Sequence, residues 1–101
     1  MSYEIGNYCR NKEIIEQRAM HEILDRLLWR ESVKSGELDN PWDGSAMHWI
    51  ICMSLNGEFS LGWTTEYKRQ GICYFPTEKS AKNAIDSIVK PYLAKHPDFV
   101  W

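Results

Sequence analysis

The histidines and cysteines have the widest chemical range of the side chains in this sequence, because imidazoles and thiolates bind metals and act as bases or nucleophiles. The candidates are His21, His48, His96, Cys9, Cys52 and Cys73. No two of them have the close spacing of zinc ligands, and no known catalytic fingerprint is present. His48 and Cys52 lie four residues apart in a strand-like segment, a separation of about 13 Å that excludes a hydrogen bond between them. We therefore predict that the protein is not an enzyme and holds no metal ion or other cofactor.

The segment YFPTEKSAKNAI, residues 74–85, has the order of strand, proline, capping residue and helix that many phosphate sites share. Pro76 stands where a glycine would let a phosphate approach, and Glu78 adds a negative charge to the first helical turn. We expect Thr77 to cap the helix and the corner to have a structural role.

Acidic side chains of the first predicted helix are candidates for contacts with a partner. Glu22, Asp25 and Glu31 would imitate the phosphate charge of a nucleic acid, which a nuclease groove is built to bind. This pattern predicts that the helix competes with nucleic acid for a basic protein surface.

Aromatic and basic side chains elsewhere form two further candidate contacts. Trp42 in a polar loop and Trp49 on a predicted strand are of the type that anchors protein interfaces, although a tryptophan of this kind can also fold onto the core. Tyr67, Lys68 and Arg69 form an aromatic and basic cluster that would suit stacking on the bases of a nucleic acid. These residues predict either a protein contact or a nucleic-acid contact.

Composition favours the protein contact. The chain of 101 residues is 44% hydrophobic and 26% charged, as in a single soluble globular domain spanning residues 1–101. Its net charge of −2 is too low for electrostatic binding to nucleic acid. No apolar run approaches the ~20 residues of a membrane span, and no signal peptide is visible. The number of cysteines is odd, which fits reduced thiols better than a framework of disulfide bonds. We expect a cytoplasmic protein without a membrane partner.

The elements that must position these side chains are a helix, a loop and a strand-rich module. The helix spans about residues 12–34, because apolar residues such as Leu24 recur at the spacing of one helical face. Asn11 is its predicted N-cap. A polar loop follows at residues 35–45, and the module covers about residues 46–95.

A hairpin opens the module, since Asn56-Gly57 between two strand-like runs predicts a two-residue type I′ turn. In that register Cys52 faces Leu61, and the face that carries Cys52 forms the core. The other face, which carries Trp49, would need cover from the N-terminal helix or from a second subunit.

Residues 71–75 are predicted to add a third strand beside the hairpin, and Pro76 ends it. A helical stripe of alanine, isoleucine and valine then predicts a C-terminal helix packed on the sheet, with a kink or loosening near Pro91. The predicted fold class is α+β, with an N-terminal helix, a three-stranded antiparallel sheet and a C-terminal helix.

Residues 48–93 resemble a module of small, mostly uncharacterised proteins from phages and prophages of Gram-positive bacteria. The motifs that carry the resemblance are "SLNGEF", "GICYF" and "TEKSAKNAI", preceded by the helical segment "IIEQRAMHEILDRLL". The resemblance implies a phage or mobile-element accessory protein that binds and inhibits or modulates one host protein in the host cytoplasm. A defence complex such as a CRISPR nuclease is one such target, and the protein would then be anti-CRISPR-like.

Two other functions stay open at this point. A nucleic-acid-binding module would use Tyr67, Lys68 and Arg69. A structural phage component would form a homo-oligomer through the half-apolar sheet face, with Trp49 or Met53 buried between subunits.

Overall fold

The computed structural model describes the backbone of residues 2–101 and the side chains of residues 12–101. Its first element is helix α1, Ser2–Lys34, of 33 residues. A helix of this length extends about 50 Å, which accounts for most of the 56 Å longest dimension of the molecule. The C-terminal end of α1 agrees with the prediction, whereas its start lies upstream of the predicted Asn11 cap. A 3₁₀ turn, Glu37–Asp39, follows α1.

The hairpin consists of β1, His48–Met53, and β2, Phe59–Thr64. It is antiparallel as predicted, but the register differs by one residue, because Ile51 and not Cys52 faces Leu61. The cause is the turn. Ser54 N–H donates to the Glu58 carbonyl at 2.8 Å, so the loop has three residues and ends at Gly57 with φ +84°. Three-residue hairpin loops place a residue in the left-handed region at this position, which suits glycine.

The one-residue difference exchanges the faces of β1, as the period of two in a strand requires. Trp49, Ile51, Phe59 and Leu61 pack against the core, and Trp49 is therefore covered by the helices of its own chain. On the other face, the Ile50 side chain lies against Gly62, where an added Cβ would come within 3.2 Å of Ile50 Cγ1.

The predicted three-stranded sheet is wrong, because the described residues form a two-stranded sheet. Residues 71–75 contribute one isolated antiparallel bridge, in which Trp49 and Phe75 exchange two main-chain hydrogen bonds of 2.8 Å. On one side of the bridge the chain passes through Pro76 directly to Thr77, the N-cap of α2, so no further strand residue follows. On the other side Gly71 has φ +80°, which turns the segment away from β1 before a ladder forms. The broader α+β class holds.

The C-terminal helical region is continuous through three segments: α2, Glu78–Ala84, a π-helical segment, Ile85–Val89, and α3, Lys90–Lys95. Thr77 caps α2 and accepts a hydrogen bond from Ser80 N–H at 3.0 Å, as the corner segment predicted. The π-helical segment lies just before Pro91, whose ring lacks an N–H and clashes with the carbonyl four residues earlier.

The core lies between α1, the hairpin and this C-terminal helical region. Its buried side chains are Leu24, Leu28, Phe75, Ala81, Ala84, Val89 and Tyr92. The C-terminal tail docks on α1, where the Gln17 side chain accepts from Val100 N–H at 2.9 Å and donates to the Asp98 carbonyl. Within the described part of the chain, neither α1 nor any other helix combines the length and apolarity required to cross a membrane.

Candidate functional site

Among the side chains that the structure describes, His48 at the start of β1 is polar and yet fully buried. Its Nε2–H donates to the Pro41 carbonyl at 2.9 Å, and its Nδ1 bonds to the Glu37 carboxylate. Asn40 Nδ2 lies between these groups and donates to the Met47 carbonyl at 3.0 Å. The histidine therefore fastens the 3₁₀ turn and the following loop to the sheet.

Trp42 lies flat on this histidine, with ring centroids 3.5 Å apart and planes 6° from parallel. Tyr74 meets Trp42 edge-on at 4.9 Å. The Tyr74 hydroxyl donates to the Tyr67 carbonyl at 3.2 Å and accepts from Arg69 N–H at 2.8 Å. Three aromatic rings, together with the hydrogen bonds of His48, Asn40 and Tyr74, thus hold two loops in place.

A groove of about 190 Å³ lies between the end of α1, the 3₁₀ turn and the segment before Pro76. We call it the Trp42 groove, and its defining residues are Trp29, Leu38, Trp42, Lys68, Ile72 and Tyr74. Trp29 is 55% exposed, Leu38 71% and Ile72 37%. Lys68 Nζ lies 5.7 Å from the centroid of the Trp42 ring, within the range of a cation–π contact. The groove therefore combines an ordered aromatic floor with exposed apolar side chains at its rim.

The acidic residues proposed for partner binding do not form one stripe. Glu22 and Asp25 lie on one side of α1, in a depression that also includes Arg26 and Trp29. Glu31 follows Glu22 by nine residues, which places it on the opposite side of a helix with 3.6 residues per turn.

Basic groups also interrupt the acidic side of α1. Glu22 forms an exposed ion pair with Arg18 at 3.4 Å. Partial burial is the main cause that raises the pKa of Asp25, while the charge of His21 lowers it.

The other predicted residues are distributed between the groove and the core. Trp42 and Lys68 come together in the Trp42 groove. Tyr67 and Arg69 are exposed on the loop that Tyr74 holds, and Trp49 packs against the core. Sequence reasoning missed Trp29, Leu38 and Ile72, of which only Trp29, a tryptophan near the polar C-terminal end of α1, was a usable signal.

The thiols and imidazoles do not form a reactive group in the described residues. Burial raises the pKa of the Cys73 thiol, which is opposite to the lowered pKa of a nucleophilic cysteine. Cys52 lies on the opposite face of β1 from the core, and both thiols are free. His21 bonds to the Val100 carbonyl, and no cluster of three metal-ligand side chains occurs among residues 12–101. Cys9, which the sequence analysis named as a candidate, lies outside the residues whose side chains the structure describes.

Comparison of the chain with protein-family models, curated proteins and solved structures finds no match.

Proposed function

We propose that this protein is a binding protein that uses the Trp42 groove to contact one partner protein and thereby inhibits or modulates it. The observation that carries the proposal is the exposure of Trp29, Leu38 and Ile72 around the ordered stack of Trp42 on His48. Binding energy at protein interfaces concentrates in a few aromatic and apolar anchors that are already ordered before binding. A groove of this kind provides such anchors without a catalytic step.

Exposed apolar area supports a partner because solvating it is unfavourable. Burial of apolar surface contributes about 25 cal/mol per Å², so three half-exposed side chains provide a few kcal/mol before the cost of association. Lys68 at the rim gives the groove one positive charge, and the side chain of Glu37 beneath it is directed at His48. The partner surface is thus expected to be apolar, with an acidic or carbonyl group that meets Lys68.

The partner class follows the resemblance of residues 48–93 to small phage proteins and is part of the same proposal. The partner would be a host protein, and a defence complex such as a CRISPR nuclease is one candidate. The acidic side of α1 adjoins the groove through Trp29, so Glu22 and Asp25 would lie at the edge of the contact.

The test is affinity purification of the tagged protein from a nuclease-treated lysate of a Gram-positive host. The groove variant Leu38→Ser is compared with Leu55→Ser, an identical change at the exposed hairpin tip. We expect one stoichiometric protein with the native chain and with Leu55→Ser, and its loss with Leu38→Ser. Equal capture by both variants would exclude the groove, and recovery of nucleic acid alone from an untreated lysate would support the nucleic-acid function.

A further inference from the structure

The outer edge of β2 is the second unusual surface of this protein. In an antiparallel ladder, main-chain groups point alternately toward and away from the neighbouring strand. The bond from Ser54 N–H to the Glu58 carbonyl fixes this alternation, so Ser60 and Gly62 bond to β1. The N–H and C=O groups of Phe59, Leu61 and Trp63 must then point outward.

The other strand supports this assignment independently. Trp49 faces Trp63 across the ladder, so the N–H and C=O groups of Trp49 also point away from the hairpin. Its outward N–H and C=O groups are the ones that bond to Phe75, each at 2.8 Å. At the β2 edge no main-chain partner exists among the described residues, so three donors and three acceptors stand in a row.

This edge lacks the features by which proteins usually protect an edge strand. The β2 sequence FSLGWT has no lysine, no other charge and no proline, and Trp63 is 55% exposed at the edge of the face that packs on the helices. Such an edge accepts an added strand through main-chain hydrogen bonds, with pockets for alternate side chains.

The acidic residues at the two ends of β2 favour one kind of partner strand. Glu58 precedes the strand and Glu66 follows it, and neither forms an ion pair within the described part of the chain. Antiparallel pairing with a second copy would bring Glu58 of each chain toward Glu66 of the other, which is unfavourable. A strand with a basic residue at each end would instead meet a carboxylate at each end.

We propose that the β2 edge binds an extended segment of a partner protein as an added antiparallel strand, with apolar residues opposite Phe59, Leu61 and Trp63 and a lysine or arginine at each end. The edge shares no residue with the Trp42 groove, so this inference stands or fails independently of the proposed function.

The probe is a fluorescein-labelled nine-residue peptide in which valine and threonine alternate between two terminal lysines. We expect the 101-residue protein to bind this peptide about tenfold more tightly than it binds the same peptide with terminal glutamates. Bound peptide should slow amide exchange at Phe59, Leu61 and Trp63, while Ser60 and Gly62, already bonded to β1, change little. Methylation of the peptide main-chain nitrogens should abolish binding.

Matched variants test the charge argument. Glu58→Lys with Glu66→Lys should invert the preference toward the glutamate-ended peptide, whereas Glu13→Lys with Glu16→Lys, an equal charge change on α1, should leave it unchanged. The proposal is overturned if neither peptide binds or if the methylated peptide binds equally well. It is also overturned if the same three amides become protected in the protein alone as its concentration rises, which would assign the edge to a second copy.

Discussion

Trp42 lies 3.5 Å from His48, ring centroid to ring centroid, and the two planes are nearly parallel. The contact joins an exposed groove to a buried hydrogen-bonded group, because the same histidine bonds to Glu37 and to the Pro41 carbonyl. The shape of the groove and the stability of the fold therefore depend on one side chain.

Replacing His48 with phenylalanine keeps a ring under Trp42 but removes both hydrogen bonds. The largely buried Glu37 carboxylate and the Pro41 carbonyl lose their imidazole partner, and we expect the free energy of unfolding to fall by about 2 to 4 kcal/mol. Urea denaturation followed by circular dichroism measures the change. His96→Phe is the control, since this half-buried ring packs against Tyr92 without a side-chain hydrogen bond to the described residues, and its effect should stay below about 1 kcal/mol. Equal midpoints for the two variants would contradict the account.

The single bridge between Trp49 and Phe75 predicts a specific pattern of amide hydrogen exchange. The Trp49 and Phe75 N–H groups each donate to the carbonyl of the other residue and should exchange slowly, whereas the Ile51 amide points toward the gap where a third strand would continue. We expect Ile51 to exchange at least about tenfold faster than Cys52, which bonds to β2. Protection of Ile51 equal to that of Cys52 would show that the third strand forms in solution.

The hairpin shows how much of this fold the sequence predicts. Asn56-Gly57 located the turn, but the choice between a two-residue and a three-residue loop depends on the hydrogen bond between Ser54 and Glu58, which local sequence does not determine. Residues 71–75 have the composition of a strand, yet the conformation of Gly71 turns them away from β1. By contrast, the C-terminal helix was predictable, because its apolar period and its Thr77 cap act locally.

The candidate site was predictable only in part. Trp42 and Lys68 are unusual in their local context, and the structure places both in the groove. Leu38 and Ile72 are ordinary apolar residues in the sequence. Their exposure is set by which loops meet across the fold, and one sequence carries no direct signal for that.

The loop after Trp42 should respond to pH through Asp43. Hydrogen bonds from the Ser45 side chain and from the Ser45 and Ala46 amides lower the pKa of Asp43 from 3.8 to about 2. Because this pKa is lowered on folding, its contribution to stability is present above pH 3.8 and is lost as pH falls through about 2. Carboxyl chemical shifts measured against pH should give this midpoint. Ser45→Ala should raise the pKa toward 3.8, and an unchanged midpoint would contradict the loop geometry.

The thiol at the base of the groove should react slowly. Desolvation by burial is the main cause that raises the pKa of Cys73 above 9.0, although the Ser32 side chain lowers it. In a variant with Cys9→Ser and Cys52→Ser, we expect alkylation of Cys73 by iodoacetamide at pH 8 to be at least about tenfold slower than that of a free cysteine peptide. Since the pKa is raised on folding, the stabilising contribution is complete below pH 9.0 and is lost as pH rises through the folded value. Alkylation as fast as in the peptide would show that the groove opens.

The most direct test of the Trp42 groove is photo-crosslinking from a single position. A benzophenone amino acid replaces Leu38 at the rim of the groove, and in a matched protein it replaces Leu55 at the hairpin tip; both positions are strongly exposed. After irradiation in a nuclease-treated host lysate, we predict one discrete protein adduct from position 38 and none from position 55. The same adducts from both positions, or no adduct from position 38, would contradict the claim that this groove binds the partner.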